Sequence, residues 1–139
     1  MKALFILASV ASLAVCASAA IAGGSYTGNY PVTVTRSNHS DGTYCLKLTD
    51  EGGSGRRHSG SAELTGGPQV GLLPYGSFQV IAGIIVASGE QQLGDGDTAG
   101  LIFTGQAANG NIDTLVYDQD YGGQSNDSGA VKIGEKNGC

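Results

Sequence analysis

The sequence predicts an all-β domain, and three observations carry that prediction. Apolar residues past residue 23 come in short alternating runs, never in stripes of helical period. Glycine, at 24 of 139 residues, interrupts these runs every several positions. The stretch Gly76–Gly89 (GSFQVIAGIIVASG) concentrates β-branched residues on either side of Ala82-Gly83, the pattern of a central hairpin. Short strands separated by Gly-rich turns belong to a barrel or a sandwich.

The N-terminus is of another kind. Met1-Lys2 is a short basic start, Ala3 to Val15 is apolar apart from Ser9 and Ser12, and small residues follow from Cys16 to Ala22. This is the layout of a secretory signal peptide over residues 1–22, too short and wrongly flanked for a transmembrane anchor. Cleavage is expected before Ala20 or Gly23. Leu13-Ala14-Val15-Cys16 also resembles a lipobox, so lipid attachment at Cys16 is the alternative, although Val15 stands where a small residue is expected. Residues 23–139 then form one β domain, secreted or periplasmic, with no later segment able to span a membrane.

Within that domain the first strand is expected from Ser25 to Arg36, with Tyr26, Tyr30, Val32 and Val34 on one face. Pro31 lacks a backbone donor, which places this strand at an edge or bends it. The second strand, Thr43 to Thr49, turns Tyr44, Leu46 and Leu48 inward and Cys45 and Lys47 outward. Asp50 to Ser61 reads as a charged loop, and Ser61 to Thr65 as a short third strand. Val70 to Pro74 is a loop or a short turn. In the hairpin, a two-residue turn at Ala82-Gly83 pairs Val80 with Ile85 and Phe78 with Ala87. That leaves Ile81, Ile84 and Val86 on the opposite face. A hairpin apolar on both faces calls for a cover on each side, or for a bulge at Gly83 that shifts the register.

Glu90 to Thr98 reads as a loop, and a strand surrounds Leu101-Ile102-Phe103. Asn109-Gly110 is a type I′ turn signal leading into a strand from Ile112 to Tyr117. Asp118 to Asp127 reads as an acidic turn, Ser128 to Gly134 as the last strand, and Glu135 to Cys139 as a tail. About eight strands with mostly short connections make a small up-and-down barrel of antiparallel strands, with a two-sheet β-sandwich as the alternative.

Cys45 and Cys139 are the two cysteines past the leader and are expected to form a disulfide on the outer surface. Closing so long a loop stabilises the fold by on the order of 4.5 kcal/mol in the chain-entropy picture. The net charge of −5 is dispersed, and no basic run exceeds Arg56-Arg57, which argues against nucleic acid as a partner.

Candidate chemistry is sparse. His39 and His58 are the only histidines, each among loop residues, and neither sits in a pattern that builds a catalytic triad. Asp95/Asp97 and Asp118/Asp120 place carboxylates two apart without completing a calcium loop. Gly52 to Arg57 lacks the Gly-Lys-Ser/Thr ending of a phosphate loop. Asn38 and Asn126 open glycosylation sequons. Tyr26, Tyr30, Tyr75, Tyr117 and Tyr121 either pack the core or line a cavity. No cofactor or metal is expected.

The expected function is that of an exported, non-enzymatic β domain acting by surface contact with a protein or small-molecule partner, or with itself, through Ile81, Ile84 and Val86. The alternative is a barrel holding a small apolar ligand inside, as lipocalin-like and avidin-like barrels do, an analogy of strand count alone.

Overall fold

The computed structural model describes residues 24–35, 42–53, 56–66, 75–92, 98–121 and 126–139. The leader, Cys16, His39, Asn38, the Val70–Pro74 stretch and Asp95/Asp97 lie outside the described residues. Eight strands run in chain order: β1 (Gly28–Val34), β2 (Gly42–Asp50), β3 (Arg57–Thr65), β4 (Tyr75–Ile81), β5 (Ile84–Gln92), β6 (Thr98–Ala108), β7 (Asn111–Tyr121) and β8 (Asn126–Ile133). Each pairs antiparallel with the next, and β8 pairs with β1, closing the barrel. The barrel, not the sandwich, is the architecture.

Alternation does the sorting. Tyr30, Val32 and Val34 from β1, Tyr44, Leu46 and Leu48 from β2, and Ala62 and Leu64 from β3 all point inward and are buried. Phe78, Val80, Ile85, Ala87, Leu101, Phe103, Leu115 and Tyr117 continue the same layers around the barrel. The largest of these side chains leave 0–1% of their surface to solvent, so water-sized space beside them is negligible and the lumen is packed with side chains. Gly60 belongs to this packing: it pairs with Phe78, and a Cβ there would run into the Thr49 carbonyl and come within 2.9 Å of the Phe78 ring.

The hairpin register is the one the sequence implies, with Val80 opposite Ile85 and Phe78 opposite Ala87. Ala82 and Gly83 both take positive φ (53° and 89°), as do Asn109 and Gly110 (51° and 79°), the signature of type I′ turns that match strand twist. No bulge occurs at Gly83; the register shift falls between Gln106 and Ala107 in β6.

Several boundaries differ from expectation. Arg57 to Ser61 is strand rather than loop, and the strand pattern runs on through Asp118–Tyr121 and resumes at Asn126, where an acidic turn was expected. β1 has no free edge: it pairs with β2 along its whole length and with β8 over Val32–Val34. Pro31 is accommodated because its ring nitrogen faces the β8 side just where that ladder has ended. There the chain past β8 takes over, the Gly134 N–H donating to the Pro31 carbonyl at 2.7 Å.

At one end of the barrel meet the segment Gly24–Thr27, the turns at Ala82-Gly83 and Asn109-Gly110, and the tail past Ile133. The tail crosses the outside of β1 and ends in the Cys45–Cys139 disulfide, whose Cα atoms are 5.9 Å apart.

Candidate functional site

The outer wall of a barrel with an apolar lumen is ordinarily polar, and most of this one obeys: Lys47, Gln79, Asp113, Asp118 and Lys132 project outward. One face departs from the rule. Ile84 is 59% exposed, Val116 52%, Ile81 46%, Ile102 45% and Val86 41%. Register places them together. Ile81 lies opposite Ile84; Val86 lies opposite Thr104, which lies opposite Val116; Ile102 sits between Ser88 and Asp118. A sheet of Ile, Val and Thr thus extends over β4 to β7, bounded by Arg57 beside Ile81 and by Asp118 beside Ile102. Two shallow grooves cross it. One of about 500 Å³ is floored by Ile81, Ile84 and Val86 and walled by Ser77, Gln79 and Ser88. The other, about 530 Å³, runs over Ile102, Thr104, Val116 and Ser128.

The three residues singled out in the hairpin therefore do share an outward face. The cover that their apolarity called for is absent among the described residues, and the face is wider than the hairpin. Ile102 and Val116 do not stand out in the sequence because each sits in a strand whose inward residues are also apolar. The signal that finds them is phase: once Leu101, Phe103, Leu115 and Tyr117 are assigned inward, Ile102 and Val116 must point out. Ala82, in the left-handed region between Ile81 and Ile84, holds a conformation that costs a non-glycine residue about 1 kcal/mol or more.

A second cluster closes the barrel end where the tail crosses. His58 lies on β3 and points inward, not in a solvated loop. Its Nδ1 is 2.9 Å from Asp50 Oδ2, with the two side chains 12% and 3% exposed. Asp50 also accepts the N–H groups of Tyr26 and Gly52, each at 2.9 Å. Burial pushes the Asp50 carboxyl upward, but these two N–H groups and the His58 ring outweigh it and hold the group below its ordinary value. The Tyr26 ring meets the His58 ring edge-on at 5.0 Å between centroids. Tyr30 Oη lies 3.2 Å from the Tyr26 carbonyl and 3.1 Å from that of Gly110, and burial pushes its hydroxyl up to about 12. Lys136 Nζ donates to the Ser25 and Gly110 carbonyls at 2.7 and 2.9 Å and sits 5.9 Å from the Tyr30 ring centroid.

The Asp50–His58 pair has the orienting half of a catalytic triad. Tyr30 Oη donates to carbonyls and Thr27 Oγ1 accepts the Asp50 N–H, so these groups form a polar plug at this end of the barrel. Tyr26, Tyr30 and Tyr117 are buried in the core, and Tyr117 also borders the groove over Ile102 and Val116. Asp118 and Asp120 both project outward from β7, and among the described residues no group of three or more His, Cys, Asp or Glu side chains gathers at metal-binding distance. No described helix is long and apolar enough to cross a membrane.

Fold and surface define the class: a small closed eight-stranded barrel with a packed lumen and one apolar outer face. No protein-family model, curated protein or solved structure matches the chain.

Proposed function

We propose that this chain is an exported, non-enzymatic β-barrel that works by contact, with the outer face of β4 to β7 as its working surface and a protein as its partner. The observation that carries the reading is the run of exposed Ile81, Ile84, Val86, Ile102 and Val116 on one neutral face of an otherwise polar wall. Contiguous exposed apolar surface is costly to keep unless something covers it. Depletion of charge at the centre with charge at the rim, here Arg57 and Asp118, is the composition of a contact patch. Export is supported by the leader-like N-terminus and by a cysteine pair at disulfide distance, compatible with an oxidising compartment.

The packed lumen weighs against the alternative of an apolar cargo, since filling it with ligand would require evicting Phe78, Phe103 or Leu46. The test is site-specific photocrosslinking in the producing cell. A probe at Gln79, beside Val86, gives a discrete protein adduct that Val86→Lys abolishes, while a probe at Lys132 on another wall gives none. Equal labelling from both positions, or adducts indifferent to Val86→Lys, would refute the reading.

A further inference from the structure

The barrel closes along a seam that differs from its other seven. Among the described residues β1 and β8 share three register pairs, Val32–Ile133, Thr33–Lys132 and Val34–Val131. β6 and β7, by contrast, pair from Ala99–Tyr121 to Ala108–Asn111. The rest of β1 on that side is covered by the tail. The Gly134 N–H donates to the Pro31 carbonyl and the Asn137 N–H to the Asn29 carbonyl, while the Asn29 N–H donates to Asn137 Oδ1 at 3.2 Å. Gly134 and Gly138 lie against the Pro31 ring, where a Cβ on either would come within 3.0 Å of it. Lys136, from the same tail, ties Ser25 to Gly110 over Tyr30.

The six residues after β8 belong to no strand and are held by few backbone bonds. Here the last of them is bonded to Cys45, which sits opposite Pro31 on β2. The disulfide therefore reaches from β8, over β1, to β2, across the seam itself.

The geometry points to a redox latch: the Cys45–Cys139 bond holds the tail in place, and its reduction frees the β1–β8 seam and the Lys136 plug while the rest of the barrel stays folded. Cys139 is exposed and Cys45 half-buried, so a dithiol reductant attacks Sγ of Cys139. A mixed disulfide forms on Cys139 and Cys45 leaves as a thiolate. The reagent's second thiol then displaces Cys139 as a thiolate and closes the reagent's own disulfide, so the protein gains the two electrons that the dithiol loses. Released, the tail uncovers the carbonyls of Asn29 and Pro31 and removes the cation from above Tyr30. This device is independent of the apolar outer face.

The test is hydrogen exchange on the exported chain, oxidised and then reduced with dithiothreitol. The expected result is exchange faster by about tenfold or more at the amides of Asn29, Gly134 and Asn137, with Val86, Phe103 and Leu115 unchanged. A Cys45→Ser/Cys139→Ser double variant shows the reduced pattern without reagent and no response to it. Unchanged exchange at the tail on reduction would overturn the latch. So would equal loss of protection around the whole barrel, or complete unfolding, either of which makes the bond a general tether. A double variant that keeps the oxidised pattern would also overturn it; one that does not fold counts with unfolding on reduction.

Discussion

Replacing Gln119 with methionine should make the protein more stable, against the usual direction of core substitutions. Gln119 lies on β7, opposite Leu101 on β6 and Asp127 on β8, and is 0% exposed. Both its amide nitrogen and its amide oxygen are buried without a hydrogen-bond partner among the described residues. An amide taken out of water and left unpaired costs about 1–3 kcal/mol by the measure of protein substitutions. Methionine keeps the unbranched length of the side chain and replaces the amide with a thioether, so the packing change is small. The expected gain is about 2 kcal/mol, which in a domain of this size raises the Tm by roughly 6–10 °C. Urea unfolding should show a higher midpoint with an unchanged slope, and thermal melting should agree. A Tm lowered by several degrees would refute the reasoning, because it would mean that the amide is paired in solution.

Other predictions follow from the same geometry. Asp50→Asn turns an acceptor-only carboxylate into a group that also donates, facing the N–H groups of Tyr26 and Gly52, and should cost about 2 kcal/mol at pH 7 in urea unfolding. Because the folded state holds the Asp50 carboxyl below its ordinary value, its contribution is complete above the unfolded pKa of about 4 and is lost as pH falls through the lower folded value. Wild type should therefore lose stability more steeply than Asp50→Asn as the pH falls below about 4, and parallel acid limbs would contradict this. Ala82→Asn, at a position with φ of 53°, should stabilise by about 1 kcal/mol in thermal melting. N-terminal sequencing of the protein recovered from its producing cells should find Ala20 or Gly23 first; an intact Met1 or a lipidated Cys16 would contradict the cleavage expected from the leader.

Much of the fold was legible because strand alternation and turn chemistry are local. The positive φ that Asn109-Gly110 and Gly83 tolerate, together with inward Tyr44, Leu46 and Leu48, is written in residues a few places apart. What was misread had composition pulling against position. Arg57-His58-Ser59-Gly60-Ser61 looks like loop, yet His58, Gly60, Ala62 and Leu64 keep the inward phase, and pairing with β4 supplies the backbone bonds that composition does not foretell. Asp118–Tyr121 reads as a turn because Asp favours turns, although Tyr117 and Gln119 continue the inward alternation. Pro31 suggested an edge because a proline reports a missing donor without saying which neighbour has to do without it. The outer face was half visible: Ile81, Ile84 and Val86 stood out within one hairpin, whereas joining them to Ile102 and Val116 required the pairing of distant strands.

That face is the centre of the account, and its accessibility in the protein's working setting is the direct measure of it. Radical footprinting should compare Ile84, Val86 and Val116 in the dilute purified chain with the same residues in the native fraction of the producing cells. Strong labelling of all three is expected when purified, as their exposures of 59%, 41% and 52% require, and protection of all three in the native fraction, with Lys132 labelled alike in both. Equal labelling of Ile84, Val86 and Val116 in the two settings would contradict it, for the face would then be bare where the protein does its work.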